Sequence, residues 1–151
     1  ANRAAIQKNE ILNFLSRGKK LVLFPEGTSS DGNRVLSFKS SLFSIGETEK
    51  SKLGDYEFQA VTICYSGING LPMSRSQRPN VAWWGNMNLF SHLWNLMSLS
   101  SIVITVTAHE PIFNVENRKT MSFTAWKQVS YGMGKALSGS PSPVEIKETV
   151  M

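Results

Sequence analysis

Apolar residues near the start of the chain recur at helical spacing. Ala4, Ala5, Ile11, Leu12 and Leu15 are interspersed with Gln7, Asn9 and Glu10, which predicts a helix over 4–17. Gly18 is a natural stop, and Lys19 and Lys20 put positive charge at that helix's negative end. The pattern then becomes an unbroken run, Leu21-Val22-Leu23-Phe24, suited to a strand buried on both faces and stopped by Pro25. A helix feeding a buried strand is half of a crossover unit. Its parallel partner strand would precede residue 1, so the chain is expected to be part of a longer protein.

Phe38, Leu42, Phe43 and Ile45 predict a second helix over 38–46, followed by a polar surface connection over 47–55. Residues 58–65 are rich in β-branched and aromatic side chains and predict a strand. Glycine and proline punctuate 66–79, which predicts a loop, and 81–84 predicts a short strand. Residues 89–97 suggest a helix with a broad apolar face. Packing on the sheet explains that face, and the alternative is that Leu89, Phe90, Trp94 and Met97 dip into a bilayer interface. A strand over 101–109 and a closing helix over 118–137 complete the order. That helix would show Phe123, Trp126, Val129, Met133 and Leu137 on one face despite Gly132 and Gly134. The expected fold is α/β, a mostly parallel central sheet flanked by helices in three layers. It would occupy residues 1–138, with 139–151 as a flexible tail.

Composition narrows the partners. Sixteen basic against eleven acidic residues give a formal charge of +5, which favours anionic partners such as phosphates, acyl-carrier proteins or anionic lipid surfaces. The cations form no run, so no nucleic-acid arm is indicated. Cys64 is the only cysteine and excludes an internal disulfide; within an apolar strand it reads as a buried, inert thiol. No stretch approaches the ~18 consecutive apolar residues of a spanning helix. His109-Glu110 begins like a zinc-peptidase motif, but Phe113 stands where the second histidine belongs, so no metal is expected.

The chemistry concentrates after Phe24. Residues 26–34 crowd turn formers, hydroxyls and charges at the carboxyl end of the expected strand, where ligands of open α/β sheets sit. Gly27 lets backbone N–H groups approach an anion, Thr28, Ser29 and Ser30 add donors, and Lys39 follows near a helix start. The arrangement fits a phosphate-like group. Gly27 and Gly32 are spaced as in a nucleotide-binding P-loop, but Asn33 and Arg34 replace its lysine and hydroxyl, so nucleotide hydrolysis is not expected.

Phe24-Pro25-Glu26-Gly27-Thr28, then Asp31-Gly32 and Phe38-Lys39, resembles the third motif block of the glycerolipid acyltransferase superfamily. Tyr65, Gly70-Leu71-Pro72-Met73 and Ala82-Trp83-Trp84-Gly85 resemble its bacterial branch, which acylates lysophosphatidic acid or lyso-ornithine lipid. The resemblance implies that Glu26, Gly27, Thr28, Ser29 and Lys39 bind the lysolipid acceptor. It implies acyl-carrier protein or acyl-CoA as co-substrate, with no further cofactor. It also implies work at the cytoplasmic face of the inner membrane, peripheral or anchored by a segment outside this chain.

Two departures matter. The family's arginine after Gly-Thr is Ser29 here, and a hydroxyl cannot replace a bidentate guanidinium. The family's catalytic H-x-x-x-x-D is absent: Met97 lies five positions after His92, and Asn114 five after His109. The chain alone is therefore expected to be inactive. The competing reading is a lipid- or phosphate-binding domain that has lost the catalytic base.

Overall fold

The computed structural model describes residues 10–47, 57–113, 117–139 and 145–150. The start of the first expected helix and most of the connection over 47–55 lie outside the described residues. What is described of the first helix, α1, covers residues 10–16. It ends at Gly18, whose φ of +69° places it in the left-handed cap that glycine adopts without strain. The Gly18 and Lys19 amides turn back onto Leu15 and Phe14 carbonyls at 2.9 and 3.2 Å.

Residues 21–24 are not a strand. They run outside the four-stranded sheet, with Leu21, Val22 and Phe24 exposed. A strand exists only through a partner ladder, and no described segment supplies one to this run. The helix expected over 38–46 is a 3-10 helix, Ser40–Glu47, with Phe43 and Ile45 buried.

The sheet comprises β1 (Phe58–Ile68), β2 (Leu71–Pro72), β3 (Ile102–Ile112) and β4 (Glu145–Val150), in the order β2-β1-β3-β4. All its pairings are antiparallel, which corrects the mostly parallel sheet expected from the sequence. The chain's path explains why. Asn69, just after β1, meets the segment just before β3: its amide donates to the Ser101 carbonyl at 2.9 Å, and its side chain accepts from the Ser100 amide at 3.0 Å. The intervening segment therefore leaves and re-enters at one end of the sheet, so β3 must run back along β1. Asn69 and Gly70, at φ of +49° and +77°, form a two-residue hairpin turn between β1 and β2. Part of the expected loop over 66–79 is thus strand and hairpin.

Residues 78–81 also differ. Where a strand was expected over 81–84, Arg78–Val81 make a single helical turn, α2, with Pro79 in its first turn fixing φ for a helix. The helix at Leu89–Met97, α3, matches its expected bounds and is capped by the Asn88 side chain, which accepts from the Phe90 and Ser91 amides. The closing helix, α4 (Arg118–Ser138), starts on an Asn117 cap and ends at Gly139 with φ of +70°. The tail expected over 139–151 contains β4, paired with β3 from Ile102↔Val150 to Thr107↔Glu145.

Helix α4 and the 3-10 helix pack on one face of the sheet. Phe43, Ala60, Met121 and Ala125 form the core there, with Phe38, Leu42, Phe58, Ile112 and Val129 around them. The buried stripe of α4 is Met121, Ser122, Ala125, Gly132 and Met133. Phe123, expected on the inner face, is exposed. Met133 is buried and Val129 packs on the core as expected, while small Ser122, Ala125 and Gly132 share the face over a sheet whose Thr62, Cys64 and Thr105 are almost fully buried. Val61 and Ile63 point the other way and stay exposed.

One hydrogen-bonded cluster ties the layers together. The Thr62 hydroxyl donates to the Val129 carbonyl at 3.1 Å. Its single hydrogen being spent there, it accepts from His109 Nε2–H at 2.8 Å. Burial of the His109 ring pushes its pKa below the ordinary 6.5. The folded state therefore favours the neutral ring. The associated stability is complete above about pH 6.5 and declines as pH falls toward the lower folded value, because the unfolded chain takes up the proton first. Thermal melts between pH 7.5 and 5 should show a falling midpoint, with a shallower slope in His109→Gln. Equal slopes in the two proteins would show that His109 is not the group responsible.

Candidate functional site

The loop from Pro25 to Lys39 closes on itself through two contacts. The Lys39 amide donates to the Pro25 carbonyl at 2.8 Å, and the Leu36 amide donates to Glu26 Oε2 at 2.7 Å. Glu26 is thus a brace of the loop, with one carboxylate oxygen engaged by backbone. Gly27 adopts a φ of +67°, and a Cβ built there would lie 2.6 Å from Lys39 Nζ. The ammonium of Lys39 therefore lies directly over Gly27. Thr28, Ser29 and Lys39 are exposed at the rim. The structure brings Glu26, Gly27 and Lys39 into one loop, with the Thr28 and Ser29 side chains beside them open to solvent.

The sequence leaves open whether Arg75 and Arg78 lie near the acceptor site or on the surface. Arg75 is exposed, whereas Arg78 is 7% exposed and pins the second half of the loop. Its Nη1 donates to Asn33 Oδ1 at 2.8 Å and its Nη2 to the Met73 carbonyl at 2.8 Å. Asn33 in turn donates to Asp31, from its amide to Oδ1 at 3.1 Å and from its side chain to Oδ2 at 3.2 Å. Those two bonds, the side-chain one first, hold the Asp31 carboxyl below its usual pKa, with Arg34 and Arg75 adding attraction. Gly32, at φ of +78°, lets the turn lie close to the 78–82 segment: a Cβ there would be 3.3 Å from Ala82 Cβ and 3.5 Å from Arg78 Cβ. Arg78, Asn33 and Asp31 thus fix the loop against the segment that follows the hairpin. The sequence signal available for Arg78 was its place directly before Pro79, at the start of a helical turn.

Cys64 is buried, and burial pushes its thiol pKa up, so it is no nucleophile. His109 is held by Thr62, and His92 packs edge-on against Trp83 at 5.3 Å between ring centres. Neither ring is hydrogen-bonded to a carboxylate among the described residues, so neither forms an oriented acid–base pair. No group of described residues has the composition of a metal site, and no described helix is long and apolar enough to cross a membrane. What the arrangement offers is a glycine-opened loop with hydroxyls and one ammonium at its rim, suited to holding a polar headgroup.

Comparison with known proteins places the chain among acyltransferases. A family model described as Acyltransferase matches residues 1–64. A lyso-ornithine lipid O-acyltransferase of Brucella abortus (strain 2308) is 38% identical over 141 residues, covering 91% of this chain and 53% of that protein. A protein of the same description from Rhizobium meliloti (strain 1021) is 36% identical, over 88% of this chain and 47% of its own length. A third, from Rhodobacter capsulatus, is 32% identical over 78% of the chain and 42% of its own length. The chain spans about half the length of the curated relatives it matches. No solved structure gives a significant match.

Proposed function

Because the chain belongs to the glycerolipid acyltransferase superfamily, we propose that its protein transfers an acyl chain from a thioester to the hydroxyl of a lyso-ornithine lipid. Acyl-carrier protein or coenzyme A would present the acyl group. The thioester is already activated, so no metal or organic cofactor is required. The reaction needs a general base to take the hydroxyl proton. The family's H-x-x-x-x-D is not among these 151 residues, so we assign that base to residues outside them and expect residues 1–151 alone to give background turnover.

The observation that carries the acceptor class is the rim of the loop. Ser29 follows Thr28, and the ammonium over Gly27 is that of Lys39. A phosphomonoester is best gripped by a bidentate guanidinium, which this position lacks. A lyso-ornithine headgroup carries one carboxylate and one ammonium and makes no such demand. The names of the three relatives support the same choice.

Acyl transfer by the full-length protein to the two acceptors, with and without Ser29→Arg, tests the assignment. The native enzyme should favour lyso-ornithine lipid. Ser29→Arg should improve lysophosphatidic acid use by roughly ten- to hundredfold, the scale of one charge-assisted hydrogen bond, and change lyso-ornithine kinetics little. A native preference for lysophosphatidic acid, unmoved by Ser29→Arg, would overturn it.

A further inference from the structure

Helix α3 is built inside out. A helix on a protein surface normally turns its apolar stripe inward and its polar one to water. Here Leu89, Phe90, Leu93, Trp94 and Met97 are exposed, Phe90 to 82% and Trp94 to 75%, while the polar His92 is 5% exposed. Their spacing puts these apolar residues on adjoining turns of one side. Trp83 and Trp84 add exposed aromatic surface next to them, Trp83 with its ring against His92. From Pro79 to Ala108 the sequence contains no Asp, Glu, Lys or Arg. An apolar face of this kind is rare on a protein surface unless it binds something.

We propose that α3 and the Trp83–Trp84 corner form a membrane-docking face that seats in the interfacial layer of a lipid bilayer. Three observations select this occupant. The residue types are those of interfacial segments, tryptophan and phenylalanine with leucine and methionine, and no charge obstructs their entry. Exposed cations lie on segments that abut this corner: Arg34 follows the Gly32–Asn33 turn, which lies against Ala82 and Arg78 just before Trp83, and Arg75 precedes Arg78. An apolar surface with cations on the adjoining segments is complementary to acyl chains under anionic headgroups. Finally, the corner that carries the face is tied to the loop: Arg78 bonds Asn33, Gly32 lies close to Ala82, and Trp83 packs on His92 at the buried side of α3. A bilayer docked on α3 would hold the loop at the depth of the headgroups. This role for the face deepens the lysolipid reading and rests on it for the loop's purpose, but the docking itself is tested without any turnover.

A nitroxide attached to Phe90→Cys in the full-length protein reports on the face, and one on Tyr131→Cys, exposed on α4, is the control. Cys64 is buried, and replacing any cysteine outside residues 1–151 by serine leaves the label on the introduced thiol. With vesicles of phosphatidylcholine and phosphatidylglycerol, the label at 90 should become more accessible to oxygen than to a polar nickel complex, and the label at 131 should not change. Trp94→Ser with Phe90→Ser should weaken vesicle binding through this face by roughly ten- to hundredfold. Both side chains are solvent-exposed, so the fold should survive and circular dichroism should be unchanged. Three results would overturn the proposal. They are a label at 90 as water-exposed with vesicles as without; a label immobilised before vesicles are added, which would mean protein covers the face; and a label that changes only with protein concentration, which would mean a second copy does. Lipid burial of the label without acyl transfer would leave docking standing and sink the enzymatic reading alone.

Discussion

Gly132→Ala is expected to lower the melting temperature, the reverse of what this exchange does in most helix interiors. Alanine is normally favoured over glycine in a helix by about 1 kcal/mol. At Gly132 a Cβ would stand 2.5 Å from Thr62 Oγ1 and 2.7 Å from both Cε1 and Nε2 of His109. Neither neighbour is a loose end. Thr62 is 1% exposed and is held by Val129 and His109. Making room means moving α4 off β1 or breaking that cluster, an overpacking cost of about 1–3 kcal/mol. For a domain of this size each kcal/mol moves the midpoint by about 2–4 °C. Gly134→Ala is the internal control. Nothing lies within 4 Å of a Cβ there, so the ordinary helix preference should act and raise the midpoint. Calorimetry on the two variants should give opposite signs; the same sign for both would mean α4 does not sit as closely on Thr62 as described.

Arg78→Met is expected to free the Asp31–Arg34 turn without unfolding the domain. Methionine keeps most of the aliphatic stem but removes the donors to Asn33 Oδ1 and the Met73 carbonyl. A hydrogen bond from a charged group contributes about 1.5–3 kcal/mol. Part of that loss is offset, because the native guanidinium is buried against neutral acceptors and Arg78 Nε has no hydrogen-bond partner. The larger effect falls on order. With Asn33 released, the Asn33 amide bonded to Asp31 and the Leu36 amide bonded to Glu26 should exchange with solvent roughly tenfold faster or more. Arg78→Lys should behave like Met, since one ammonium cannot replace the two-armed reach of a guanidinium. Exchange rates unchanged in both variants would show that the turn holds itself.

The contrast between these two sites shows what the sequence could disclose. Elements defined by their own periodicity were legible: α3 lies where 89–97 placed it, α4 extends one residue at the end of 118–137, and β1 and β3 contain their expected cores. Features set by a distant partner were not. Leu21 to Phe24 has strand composition, but composition does not supply a neighbour to pair with. Arg78 looks like a surface residue until Asn33, 45 positions earlier, is beside it. The inner face of α4 was legible in part: Met133 is buried and Val129 packs on the core as expected, but Phe123 is exposed. Opposite Thr62 the face holds Gly132, whose close approach the pattern of large side chains does not disclose. The Asn69-Gly70 turn was readable in principle, since both residues suit positive φ, but Gly67 before it and Pro72 and Pro79 after it suggested an unbroken loop. At the site, the grouping of Gly27 and Lys39 followed from the motif. The bracing role of Glu26 needed the Leu36 amide to be seen.

The claim that this loop holds the acceptor is tested most directly by the steady-state kinetics of Gly27→Ala in the full-length protein. A Cβ at Gly27 would be strained at φ of +67° and would meet the flexible end of Lys39 first. The ammonium should therefore swing off the loop while the fold persists. The KM for lyso-ornithine lipid should rise about tenfold, as expected for losing about 1.4 kcal/mol of acceptor binding. The KM for the acyl thioester should stay unchanged. A raised thioester KM with an unchanged acceptor KM, or no change in either from a folded variant, would contradict the assignment of this loop to the acceptor.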